Sequence, residues 1–331
     1  MFDNLINVDD ARLVWDKVKG GQLRRVWDRV VGGGRRRTQL AWEKTATPPD
    51  NWWDIPAVQR RRNELISSDP EVGFNEYVCR RYLAARQDLY GLSLGCGTGV
   101  RELGWAASGK FGRLEAYDLS PQRIAYAQQS AVDSGQDEVL DFRVGDAYQI
   151  DLCAQAYDVV LAEGSLHHFS PLRQILVRIE ACLKEDGLLV ADEFVGPNQF
   201  QWSARQLEVI NGLLAVLPGR YRTLWQSAAT KRPVFRPSRL LVRLGDPSEA
   251  VEAATIMPLL HEIFEVVEVK PYGGAVLHML FHTIGHHFLD DSEETRRLLQ
   301  LCFAAEDALM ASGDLASDFA VVVCRKKGSK Q

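Results

Sequence analysis

The chain has 331 residues, 46% of them hydrophobic and 25% charged, with a formal net charge of −5. This is an ordinary globular composition, long enough for one embellished domain or two, and able to bury a core without disulfide or metal staples. The acidic balance argues against nucleic acid as the partner, because phosphate contacts need a basic face.

The six cysteines, Cys79, Cys96, Cys153, Cys182, Cys302 and Cys324, are scattered with no C-x-x-C pair. That predicts a reducing compartment, no zinc site and no disulfide framework. No uncharged apolar run approaches the ~20 residues that span a bilayer, so no transmembrane segment is expected. The opening MFDNLINVDD is too acidic for a secretion leader, and the expected location is the cytoplasm.

Taken in chain order, residues 1–87 read as a helical extension. Leu13, Val14 and Val18, then Leu23, Val26, Trp27 and Val30, share a helical face, interrupted by Gly20–Gly21 and Gly32–Gly34. Arg35, Arg36 and Arg37 follow as a solvated charge run. Residues 46–56 read as a loop, since Pro48 and Pro49 forbid helix and Trp52 and Trp53 pack it down. Helices resume over 57–87 with a break at 66–71.

From residue 89 short β-like runs alternate with helical patterns, the mark of βαβ units and a parallel sheet. The expected strands are Leu89–Leu94, Arg113–Asp118, Leu140–Val144, Tyr157–Glu163 and Leu188–Phe194. Ser120–Pro121 and Ser170–Pro171 each look like a helix start, with serine as cap and proline in the first turn. Leu172, Ile175, Leu176, Ile179 and Leu183 keep helical spacing until the turn KEDG. Residues 198–260 depart from the rhythm. A helix with Leu207, Ile210, Leu214 and Leu217 on one face is followed by a Pro/Arg-rich stretch, which reads as a helical insertion, a lid over a pocket. Strand six is expected at Phe264–Val269, a helical region at Gly274–Met310 with a break near Asp290, and strand seven at Asp318–Cys324. The chain thus divides into an extension (1–87), a core (88–197 and 261–327) and an insertion (198–260).

The chemistry gathers at strand ends. LSLGCGTG, residues 92–99, runs from a strand into a turn with Gly95, Gly97 and Gly99 at alternate positions, so a ligand can approach backbone N–H groups at a helix N-terminus. Asp118 ends the second strand, about the ~20 residues past the glycines at which an acid meets ribose hydroxyls. Asp146, in VGDAY, follows the third strand, where an acid can accept from an adenine amine. Ligands of open α/β sheets bind at these C-terminal strand ends.

The succession LSLGCGTG, LEAYDLS, VGDAY, YDVVLAEGSLHHF and LKEDGLLVADE resembles the class I S-adenosylmethionine-dependent methyltransferases over about residues 89–195. The resemblance implies an α/β, Rossmann-like, seven-stranded, mostly parallel sheet of order 3-2-1-4-5-7-6 with the last strand antiparallel. It also implies S-adenosylmethionine as cofactor, leaving as S-adenosylhomocysteine. Gly95, Cys96, Gly97, Thr98 and Gly99 would pass under the amino acid part, Asp118 and Leu119 would lie at the ribose, Asp146 and Ala147 at the adenine, and Glu163 beside the sulfonium. A structural acid at a helix start is the other reading of Glu163.

His167 and His168, in SLHHF after strand four, are the candidates for a general base toward a hydroxyl acceptor, with simple packing as the other reading of either. Four of the seven histidines lie in HMLFHTIGHHF. His278, His282 and His286 are spaced i, i+4, i+8 and would share one helix face, with His287 beside them. No HExxH and no carboxylate accompany them, so a polar helix face or a wall of the acceptor pocket is expected rather than a metal site. Trp42, Trp52, Trp53, Trp202 and Trp225 are read as packing residues that could also stack on an acceptor. DPPY and NPPY, a Pro-Cys nucleophile and C-x-x-x-C-x-x-C are all absent. The leading expectation is O-methylation of a carbohydrate or natural-product small molecule. N- or C-methylation of a small molecule or lipid is the alternative within enzymes. A non-catalytic cofactor-binding partner subunit is the alternative outside them, disfavoured by the intact glycine turn and ribose acid. The oligomeric state stays open.

Overall fold

A computed structural model describes residues 49–328 except 241 and 243–245. The expectations for Leu13–Val30, Arg35–Arg37 and Trp42 lie outside the described residues.

The centre is a seven-stranded sheet of order β3-β2-β1-β4-β5-β7-β6. Its strands are β1 (Leu89–Leu94), β2 (Phe111–Asp118), β3 (Leu140–Val144), β4 (Tyr157–Glu163), β5 (Leu183–Phe194), β6 (Phe264–Gly273) and β7 (Phe319–Lys326). The pairs β3-β2, β2-β1, β1-β4 and β4-β5 are parallel, and β7 runs antiparallel to both neighbours, as expected. In β4, Tyr157–Ala162 are all buried, as a strand covered on both faces requires. Helices α3 (Val100–Ala106), α4 (Pro121–Asp133) and α5 (Leu172–Cys182) make the crossovers. Among the described residues no helix is long and apolar enough to cross a membrane.

Three local readings are corrected. Leu183 belongs to β5 and not to the preceding helix: it pairs with Tyr157, the next register pair is Val159 with Leu188, and the KEDG residues bulge between them. Ser170 does not cap α5. The Leu172 N–H donates to Glu252 Oε2 at 3.0 Å, and the Ser170 hydroxyl donates to Glu252 Oε1 at 2.6 Å. The cap comes from a residue 80 positions away, which local pattern cannot report. Finally, the helix expected from Gly274 holds only over α8 (Leu277–Phe281), numbered after α6 and α7 of the insertion. His282 leaves helical geometry at ψ 129, Thr283 sits at φ +69, and Gly285–Phe288 form a separate 3₁₀ turn. The long helix resumes as α9 (Glu293–Ala311).

The described part of the extension is tied to the core. Arg62 on α1 (Pro56–Ser67) meets Asp192 of β5 at 2.5 Å, and the Tyr272 hydroxyl of β6 donates to the same carboxylate. Tyr77 and Tyr82 of α2 (Phe74–Tyr82) donate to Glu268 of β6. In the insertion, α6 (Ala204–Val216) opens with a Ser203/Gln206 capping box and buries Ile210 and Leu214, with Leu217 buried just beyond its end. Helix α7 (Ile256–Ile263) then leads into β6.

Candidate active site

The turn after β1 needs its glycines. Gly95, Gly97 and Gly99 have φ of +78°, +58° and +76°. A Cβ at Gly95 would stand 2.7 Å from Ser165 Cβ, and one at Gly99 would stand 2.6 Å from Phe142 Cζ. The left-handed backbone and the missing side chains are therefore both used. Asp118, at the end of β2, is braced against this turn: Oδ2 accepts from Gly97 N–H at 3.0 Å and Oδ1 from Ser120 N–H at 2.8 Å. Its carboxylate is fixed before any ligand arrives. Asp146 is turned by the Tyr148 N–H, 3.0 Å from Oδ1.

These strand ends open on a cleft of about 590 Å³. Gly95, Cys96, Gly97, Thr98, Asp118, Leu119, Asp146, Ala147 and Glu163 all line it. Gly99 does not; its place is against Phe142 and Ala127 beneath the turn. Glu163 is a buried acid that accepts from the Trp105 indole N–H and lies 3.9 Å from Arg101 Nε. Burial raises its pKa, opposed chiefly by Arg101. It is thus both a cleft residue and a structural anchor.

His167 and His168 sit in a 3₁₀ turn, Leu166–His168, after β4. His168 lines the cleft, and the His167 ring lies 4.1 Å from it, centroid to centroid. The His167 Nδ1 is 2.7 Å from Oε2 of Glu193, the penultimate residue of β5. The other oxygen of Glu193 accepts from Ser165 and Leu166 N–H, both at 2.6 Å. With Glu193 ionised, Nδ1–H donates to it and Nε2 keeps its lone pair; with Glu193 protonated, Oε2–H donates to Nδ1 and the ring proton moves to Nε2. Burial, with Arg101 nearby, pushes His167 down to about 4. Burial and then His167 push His168 well down, so both imidazoles are neutral at physiological pH. Glu193 is raised to about 8 by burial, against the two backbone donors.

The insertion completes this end. The Ser248 hydroxyl lies 3.3 Å from His168 Nδ1, and Val251 N–H donates to the His167 carbonyl. Glu249 Oε1 stops 3.8 Å from His167 Nε2. Burial raises Glu249 to about 8. Among the described residues, one set of histidine, cysteine and acidic side chains converges closely enough for a cation: His167, His168 and Glu249, with ligand atoms within 4.8 Å of one another.

Residues 92–191 match the family described as a methyltransferase domain. That match lies over the glycine turn, the braced acid and the cleft. Residues 92–191 carry an S-adenosylmethionine-dependent methyltransferase domain. A curated relative of this chain is the erythromycin 3''-O-methyltransferase of Saccharopolyspora erythraea, 25% identical over 104 residues, or 31% of this chain. The matched stretch spans about a third (34%) of that relative's length. Solved structures to which the chain is similar include an S-adenosylmethionine-dependent methyltransferase from Mesorhizobium loti, at 17% identity and a TM-score of 0.43, over 77% of this chain and 99% of that one. Another is the [4+2]-cyclase SpnF, at 16% identity and a TM-score of 0.46, over 76% and 80%.

The methyltransferase cleft fits its cofactor on evidence of its own. Glu102 Oε2 and Ser165 Oγ are buried at the cleft with no hydrogen-bond partner, while Glu102 Oε1 accepts from Ser93 Oγ at 2.6 Å. Burial lifts Glu102 to about 7. An ammonium group such as the cofactor's would supply the missing partner. Sequence patterning singles out none of Glu102, Glu193, Ser248 and Glu249. Only Glu193 carries a signal there, as an acid at the C-terminal end of a strand.

The second histidine group does not converge as one set, although the His286 and His287 rings lie 3.9 Å apart, centroid to centroid. His278 packs among aromatic rings, 5.2 Å from Phe319 and 5.7 Å from Trp52. His282 Nδ1 meets Asn51 Oδ1, His287 Nε2 meets Thr223, and His286 lies against Trp225. The broken helix separates their directions. Trp52 and Trp202 are buried packing residues, whereas Trp225 is exposed.

Proposed function

We propose that this methyltransferase transfers a methyl group to a hydroxyl oxygen of a carbohydrate or natural-product small molecule, in the cytoplasm. One arrangement carries the reading: two adjacent neutral imidazoles, His168 lining the cleft and His167 beside it, held by Glu193. Neutral imidazole is the group that takes a hydroxyl proton, and the relative named above as an O-methyltransferase agrees. Gly95, Cys96, Gly97 and Thr98 would pass under the cofactor's amino acid part, with Glu102 facing its ammonium. Asp118 and Leu119 would hold the ribose, and Asp146 and Ala147 the adenine. Glu163 would face the methionine side. When bound, the cofactor supplies an electrophilic methyl on a sulfonium. The protein's own part is alignment, worth roughly 7–11 kcal/mol for well-oriented reactants, and removal of the hydroxyl proton.

The test is turnover with a panel of hydroxylated acceptors. His167→Ala and His168→Ala are expected to lower kcat while cofactor Kd, by calorimetry, stays within about twofold. Full turnover in both variants, or methylation confined to amine or carbon acceptors, overturns the hydroxyl reading. Cofactor binding with no transfer to any acceptor would leave a non-catalytic binding subunit.

A further inference from the structure

We infer that the imidazoles of His167 and His168 and the carboxylate of Glu249 form a binding site for a divalent transition cation at the acceptor end of the cleft. The inference rests on the reading that the acceptor oxygen lies at the paired histidines.

Three observations carry it. The first is convergence: the three side chains each bring one ligand atom within 4.8 Å of the others. Glu249 Oε1 and His167 Nε2 stand 3.8 Å apart, too far for a hydrogen bond and close to the spacing of two ligands on one ion. Tetrahedral zinc at about 2.0–2.2 Å from each donor holds them roughly 3.3–3.5 Å apart. Small side-chain rotations close the remainder.

The second is orientation. Metal-bound histidines carry their other ring nitrogen on a carboxylate or a polar relay, which fixes the tautomer. Both histidines have this here. His167 Nδ1 lies 2.7 Å from the buried Glu193 carboxylate. The Ser248 hydroxyl donates to Asp246 Oδ1 at 2.6 Å, so toward His168 Nδ1 it acts as acceptor. With Glu193 ionised, the His167 ring carries its proton on Nδ1 and turns Nε2 toward Glu249, the form that ligates a metal. Ordinary packing would need no such second partner on both rings.

The third is composition. Two imidazoles and one carboxylate are the donor set of zinc sites that keep an open position. The three residues come from two segments about 80 positions apart, and those segments are clamped together. Val251 N–H donates to the His167 carbonyl, and Glu252 holds Ser170 and Leu172. The geometry therefore belongs to the fold and not to a loose loop.

The chemistry follows. An ion with one carboxylate and two neutral ligands keeps net positive charge. Bound at the open position, the acceptor hydroxyl loses its proton more readily: the O–H bond breaks, both electrons stay on oxygen, and the proton passes to solvent water. In the ion-free protein an imidazole takes the proton instead.

The experiment is calorimetric titration of zinc sulfate into the full chain after chelator treatment, with cofactor affinity measured on each variant as a folding control. The wild type is expected to bind one zinc. Glu249→Gln and His168→Ala are expected to bind it at least tenfold more weakly with cofactor affinity unchanged. No saturable zinc binding by the wild type, or equal binding by Glu249→Gln, overturns the cation site. Loss of turnover in the histidine variants without zinc binding refutes the site and leaves the hydroxyl reading intact. One-to-one zinc binding that Glu249→Gln weakens, with turnover surviving both histidine substitutions, supports the site and refutes the hydroxyl reading.

Discussion

The two ends of the cleft are built by different means. The proposed cofactor end is made of short contiguous segments, each following its own strand: the glycine turn after β1, Asp118 at the end of β2, Asp146 after β3. Much of it is backbone, and its key bond, Gly97 N–H to Asp118, joins neighbouring strand ends. The proposed acceptor end is made of side chains from distant segments: His167 and His168 after β4, Glu193 near the end of β5, and Ser248 and Glu249 from the insertion. One end depends on chain geometry, the other on long-range side-chain contacts. Substitutions should separate them.

The largest effect is expected from Glu193→Gln. One oxygen of residue 193 must accept from Ser165 and Leu166 N–H, so the amide nitrogen would face His167 Nδ1 and donate to it. His167 would then hold its proton on Nε2 at every pH, whereas the wild type does so only while Glu193 is protonated, below about 8, so the loss is read above that pH. A tautomer reversal of this kind costs on the order of 10²–10⁴ in kcat. Cofactor Kd should stay put, and an equal loss in both would mean that the two ends are not separate.

Asp118→Ala should do the opposite. It removes the fixed carboxylate at the proposed ribose position and leaves Gly97 and Ser120 N–H without their acceptor. Hydrogen bonds to a charged group are worth roughly 1.5–3 kcal/mol each, so cofactor affinity should fall about ten- to a hundredfold. Unchanged affinity in a calorimetric titration would move the ribose elsewhere.

Glu252→Ala tests the clamp between insertion and core. It deletes the cap of α5, and a lost cap costs about 1 kcal/mol, read as a lower midpoint in urea unfolding. A smaller drop in kcat should accompany it, because residues 248–251 hold the histidine turn; wild-type kcat would separate the clamp from the site.

The smallest effect belongs outside both ends, at Asp318 just before β7. Burial, and then Glu306, raise this acid to about 7, while its Oδ2 accepts from Gln206 Nε2 at 3.1 Å. A folded-state pKa above the unfolded value contributes stability that is full below about pH 4 and is lost as pH rises through about 7. Asp318→Asn should therefore gain thermal stability relative to the wild type across that range, with turnover unaffected. A gap in Tm that does not change with pH would show that Asp318 ionises freely in the fold.

The strands and the cofactor end are legible in the residues themselves, and the strand order comes with the family resemblance. Short β-like apolar runs, glycines at alternate positions and acids at strand ends are local features, and local backbone preference determines what they become. Even there, Gly99 is a packing residue and Leu183 a strand residue, because close approach and register are settled between elements. The acceptor end is legible only as the pair His167 and His168. Glu193 and Glu249 reach that pair from 26 and about 80 residues away, through contacts that leave no trace in spacing. The histidine stripe at 278–287 misleads for the converse reason: its spacing is helical, but the backbone turns at His282 and Thr283, and Asn51, Thr223 and Trp225 take its members separately. The sequence alone determined a nucleotide-shaped cleft for a methyl donor, because backbone chemistry there is written in consecutive residues. Which side chains face the acceptor was decided by tertiary structure, since only packing brings the insertion against the end of the sheet.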